Sequence, residues 1–189
     1  MNRLKKELKE WGIFLGVLGL LYFSGLHTEV AGFVQRMVLS TGLIQAESIQ
    51  IGDQKNASYD FLLEDQNGNK ISLEQLKGKT IFLNFWATWC PPCIAEMPDI
   101  HDLYLKIKDE QVAFVLIAQD EDFETAKKFI QKKGYTFPIY RALSARPIEY
   151  AGRSIPSTFV ISRQGKIIAK HTGMAKYDTE EFIKLMLDN

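Results

Sequence analysis

The chain is poor in cysteine, with two in 189 residues, Cys90 and Cys93. So few thiols exclude a disulfide-stapled scaffold, which needs several spaced pairs. Neither sign of charge is in excess, with 23 basic and 23 acidic residues. That balance, without a basic stripe interleaved with aromatics, argues against a nucleic-acid binder. Histidine is scarce: His27, His101 and His171. None makes a second pair beside the cysteines, and a structural zinc site usually takes four ligands, so no metal is expected. A phosphate-binding loop, a dinucleotide fingerprint and an internal repeat are also missing. What remains is a chain long enough for one full domain plus extra segments.

The two thiols stand in the run Trp86-Ala87-Thr88-Trp89-Cys90-Pro91-Pro92-Cys93. Before it, the apolar and aromatic stretch 80–86 has the composition of a buried strand in a mostly parallel sheet. After it, apolar residues at 97, 100, 103, 104 and 107 follow helical spacing. The cysteines therefore lie at a strand-to-helix junction, where Pro91 and Pro92 open the helix at little cost. Unpaired N–H groups and the helix dipole there favour a thiolate on Cys90. A free thiol titrates near ~8.5, and CxxC pairs at helix starts bring it toward about 7. Cys90 is then the attacking sulfur and Cys93, one turn on, the resolving one. The competing readings are half of a metal site, or two buried thiols serving as small apolar residues. Two intervening prolines and two nearby tryptophans weigh against the last. Trp86 reads as core, and Trp89 as a shield for the active sulfur and a contact for partners.

The segment 85–93 resembles the active-site stretch of the thioredoxin superfamily. Ile94-Ala95-Glu96-Met97-Pro98 narrows the resemblance to the membrane-tethered, extracytoplasmic TlpA/ResA-like branch. Ser154-Ile155-Pro156-Ser157-Thr158 supports it, since the superfamily places a cis-proline before a strand, facing the CxxC. The resemblance spans roughly residues 53–189. It implies a thioredoxin fold, an α/β domain with a central mixed sheet flanked by helices, and substrate contacts at Trp89, Ile155 and Pro156. Ordinary thioredoxins carry a buried aspartate where Asn84 stands here, and Asn84 does not titrate. Glu96 matches a proton-accepting glutamate of the ResA-like branch, and such a carboxyl would have its pKa raised by partial burial. On spacing alone, Glu96 reads equally well as a solvated helix charge.

Arg3, Lys5, Lys6 and Lys9 precede an uncharged run of sixteen residues, 11–26. A spanning helix takes roughly 17–25 residues, so with its flanks this run is long enough. The excess of basic residues before it keeps the N-terminus in the cytoplasm and exports the rest. A cleaved signal peptide is the competing reading, though no clear small-x-small site follows Leu26. The organisation is then a cytoplasmic basic flank and transmembrane anchor over 1–28, a juxtamembrane segment and linker over 29–52, and the domain over 53–189. Residues 30–44 have interrupted helical spacing, and fit a membrane-surface segment or a linker helix equally well.

Within the domain the pattern predicts a hairpin over 59–63 and 70–73, and strands over 80–86 and 112–118. Helices are expected over 91–108 and 123–132, the second ended by Gly134. A short strand over 136–140, a hairpin over 158–162 and 166–171, and a last helix capped by Asp178 complete the order. The expected chemistry is dithiol–disulfide exchange with no cofactor, at the outer face of an inner membrane. The resemblance implies protein disulfides as substrates, apocytochromes c among them, and a membrane thiol protein as electron donor. A disulfide oxidase or isomerase is the enzymatic alternative, because the direction of electron flow is not written in the motif. A redox-inactive tethered binding module is the non-enzymatic one.

Overall fold

The run Thr80–Trp86 is buried at every position, as a strand covered on both faces must be, and the domain is built outward from it. The computed structural model describes residues 7, 9–16, 55–107, 111–152 and 154–188. Seven strands are present: β1 (Leu62–Asp65), β2 (Lys70–Ser72), β3 (Thr80–Trp86), β4 (Val112–Ala118), β5 (Ile139–Ala142), β6 (Ser157–Ile161) and β7 (Ile167–Thr172). Among the described residues of the domain three α-helices accompany them: α1 (Pro91–Lys106), α2 (Phe123–Lys133) and α3 (Glu180–Asp188). The sheet order is β2-β1-β5-β4-β3-β6-β7. Only β3–β4 and β4–β5 pair in parallel, so the sheet is mixed rather than mostly parallel.

The two parallel crossovers, β3–α1–β4 and β4–α2–β5, step the same way across the sheet. Right-handed crossovers of that kind put both helices on one face, and α1, α2 and α3 share one core with Phe82, Trp86 and Leu116. The opposite face carries Ile81, Leu83 and Phe85, which meet Phe61, Leu73 and Tyr150. Side chains alternate across a strand, so Asn84 lies on the helical face with Phe82 and Trp86.

The expected elements form with three corrections, the first being that the strand expected over 59–63 runs Leu62–Asp65. The strand expected at 136–140 begins at Ile139. Thr136 gives its N–H to His101 Nε2 at 3.2 Å instead, and Pro138 has no N–H to offer. His101 on α1 is thereby tied across to this turn. The last helix is capped by Thr179, whose hydroxyl accepts from Phe182 N at 3.3 Å, and not by Asp178. Asp178 pairs with Lys106 at 3.3 Å. Gly134 ends α2 as expected, with φ 71° and its N–H on the Gln131 carbonyl, a left-handed turn that glycine makes without a Cβ penalty.

At the other end of the chain, residues 9–16 are helical and exposed. Among the described residues no helix is long and apolar enough to cross a membrane. Most of the 11–26 run, all of 30–44 and the linker before residue 55 lie outside the described residues.

Candidate active site

The end of β3 turns directly into α1, and this junction holds the cysteines. Cys90 is the N-cap of α1, with Pro91 and Pro92 in its first positions. Cys93 N–H donates to Cys90 Sγ at 3.3 Å, so a free helix-end amide already points at the sulfur that would carry negative charge. The two sulfurs are joined as a disulfide. Cys90 is 4% exposed and Cys93 0%, so an incoming partner meets Cys90 first.

The turn before the pair is held from β4. Asp120 accepts from the Thr88 N–H and from its hydroxyl. Gln119 N–H donates to the Trp86 carbonyl at 2.8 Å. Trp86 is fully buried, as a core side chain, while Trp89 is 59% exposed beside Cys90. Facing them, Ile155–Pro156 is a cis peptide bond. The Ile155 carbonyl oxygen lies 3.7 Å from Cys90 Sγ. Cys90, Ile155 and Pro156 are thus brought together from segments 65 residues apart in sequence.

Glu96 does not reach solvent. It is 0% exposed on the buried side of α1, one turn beyond Cys93, which removes the solvated-charge reading. Burial pushes its pKa well above the usual carboxylate range, against hydrogen bonds from Asn84 and the Ala175 amide that favour the anion. Asn84 Nδ2 donates to Glu96 Oε1 at 2.9 Å and to Thr158 Oγ1 at 2.9 Å. Ala175 N–H donates to Glu96 Oε2 at 3.3 Å. Asn84 therefore grips the carboxyl instead of titrating. Its own Oδ1 is buried without a hydrogen-bond partner.

Three further participants were given no role by the sequence. Thr158 and Tyr177 join the Glu96 group through a 2.8 Å hydrogen bond, Tyr177 hydroxyl to Thr158 Oγ1. Arg146 stacks on the Phe85 ring at 3.4 Å and donates to Ser157 Oγ at 3.1 Å and the Gly152 carbonyl at 3.0 Å. Half-burial lowers its guanidinium to about 10. It braces the loop leading into Pro156. The Thr158 position was legible only as part of the proline motif, and a tyrosine or arginine in a loop has no periodicity to betray it.

A protein-family model described as Redoxin matches residues 52–183. A thiol-disulfide oxidoreductase ResA of Halalkalibacterium halodurans is 39% identical over 128 residues, covering 67% of this chain and 73% of that protein. A ResA of Bacillus thuringiensis subsp. konkukian is 35% identical over 174 residues, 91% of this chain and 90% of its own length. Among solved structures, a putative thiol:disulfide interchange protein DsbE from Chlorobium tepidum superposes with TM-score 0.62 at 27% identity, covering 72% of this chain and 96% of that one.

Proposed function

Because this chain belongs to the Redoxin family and is a ResA-like thiol-disulfide oxidoreductase of the thioredoxin superfamily, we propose that it reduces disulfides in exported proteins. The observation that carries this reading is Cys90 at a helix start, joined to a deeper Cys93 and facing the cis Ile155–Pro156 bond. In the reduced enzyme the Cys90 thiolate attacks one sulfur of a partner disulfide, whose backbone lies along Ile155 and Pro156 beside Trp89. The partner's S–S bond breaks, and its leaving sulfur departs as a thiolate that takes a proton from water. Cys93 gives its proton to the Glu96 carboxylate and attacks Cys90 Sγ. The second partner sulfur leaves, and two electrons have passed from the Cys90–Cys93 dithiol to the partner.

The pair then has to be reduced again, and an oxidising compartment supplies no small-molecule pool for it. A membrane thiol protein is the donor that chemistry calls for. Apocytochrome c is a substrate of the right class, since its own CxxC must be reduced before haem attachment. The basic flank and apolar run at 1–28 support a single-pass anchor in the inner membrane, with the N-terminus in the cytoplasm and the domain outside.

Replacement Cys93→Ser tests the scheme. The variant lacks the resolving sulfur, so a substrate remains bound covalently through Cys90. Non-reducing electrophoresis of the variant should show trapped partners that dithiothreitol releases and that Cys90→Ser abolishes. A variant that traps nothing contradicts the assignment of Cys90 as the attacking sulfur.

A further inference from the structure

Glu96 sits in a closed polar group contributed by four elements of the chain. α1 supplies the carboxyl, β3 supplies Asn84, β6 supplies Thr158, and the loop between β7 and α3 supplies the Ala175 amide and Tyr177. Each of these four side chains is at most 2% exposed. The loop is fastened at both ends of the site, because Gly173 N–H donates to the Pro156 carbonyl at 2.9 Å. The Tyr177 ring is held edge-on by Phe82 at 5.3 Å and packed against Phe182 at 5.3 Å, so its hydroxyl has a fixed origin. That hydroxyl donates to Thr158 Oγ1 at 2.8 Å, an oxygen that also accepts from Asn84 Nδ2 at 2.9 Å, and the same Nδ2 donates to Glu96 Oε1 at 2.9 Å, so phenol and carboxyl are joined through two shared atoms.

One O–H serves one strong acceptor at a time, and an ionised carboxylate is a stronger acceptor than a hydroxyl. We propose that Tyr177 is a positioning residue for the exchange reaction, its hydroxyl turning from Thr158 to Glu96 when that carboxyl is ionised and back when it is protonated. The proposal rests on the reading of Glu96 as acceptor of the Cys93 proton. With the carboxylate free to receive that proton, Tyr177 holds it in place and supports its charge. Once the proton arrives, the hydroxyl returns to Thr158, so the Tyr177 O–H has an acceptor in either state.

Among the described residues, Asp99 on the same helix opposes Glu96 ionisation by its charge, and in the reduced enzyme the buried Cys93 thiol on that helix is also titratable. β3 and β6 present the neutral Asn84 and Thr158. Tyr177 itself stays protonated, since burial and the neighbouring Glu96 charge hold its pKa well above the usual phenol value.

The test is the pH profile for reduction of a disulfide-closed peptide by the full chain, with dithiothreitol as the donor. Tyr177→Phe keeps the ring packing and removes support for the anion. Its acid limb should move up by about one pH unit, the scale of one charge-assisted hydrogen bond. Thr158→Val removes the competing acceptor, so the hydroxyl serves Glu96 alone and the limb should move down. Shifts of opposite sign are not produced by general loosening of the core. If Tyr177→Phe does not fold, the direction of the Thr158→Val shift decides alone. Variant profiles that superimpose on the parent, in a protein whose limb Glu96→Gln abolishes, overturn the role of Tyr177 only. A limb that survives Glu96→Gln overturns the proton-acceptor reading and this proposal with it.

Discussion

Glu96 is held wholly inside the protein, against Asn84, the Ala175 amide and Tyr177, and its effect on stability therefore depends on pH. Burial raises its pKa in the folded state above the ordinary value of 4.5. The folded protein then binds that proton more tightly than the unfolded chain does. The stability this contributes is full below the unfolded value and is lost as pH rises toward the folded one. Glu96→Gln removes the titration. Its stability relative to the parent should climb between about pH 5 and pH 8, by up to about 1.4 kcal/mol per unit until the folded pKa is passed. Urea unfolding at the two ends of that range checks it, and a difference independent of pH contradicts the burial argument. At this scale the cysteines and both tryptophans were legible from local pattern. Glu96 had its role from the family resemblance, but its full burial and its partners did not show, because Ala175 comes from 79 residues away. Tyr177 and Arg146 act through contacts no local pattern records.

The strands and helices with a strong apolar period, β3, β4, α1 and α2, follow the sequence closely because burial alone decides them. β5 does not, since its outer residues Arg141 and Ala142 are exposed and its pairing to β1 is set by distant register. The start of α3 shows how capping is decided by one residue. The sequence pointed to Asp178, but Thr179 is also a capping residue type, and the structure uses Thr179 while Asp178 ties the helix start to Lys106. Thr179→Ala should cost about 1 kcal/mol, the usual loss of an N-cap. Asp178→Ala should cost less, within the roughly 0.2–1 kcal/mol of a partly exposed ion pair. Thermal unfolding of the two variants ranks them, and the reverse order would return the cap to Asp178.

For the molecule as a whole, the thioredoxin fold follows from element order together with the CxxC and proline motifs, while the proposed anchor rests on the sequence of residues 1–28. A reporter active only outside the cytoplasm, fused after residue 44, should be active, and a reporter active only inside should be silent. The opposite pair of results overturns the orientation. Direction of electron flow is likewise a property of the assembled site, since it depends on how strongly the helix start and the buried carboxyl stabilise each redox form of one motif. The reduction potential of the Cys90–Cys93 pair, from equilibration of the full chain in graded thiol–disulfide buffers, tests the proposed reductase most directly. For a reductase the value should be strongly negative, near the roughly −270 mV of reducing CxxC proteins, and a value near the roughly −120 mV of strong oxidants would contradict that direction.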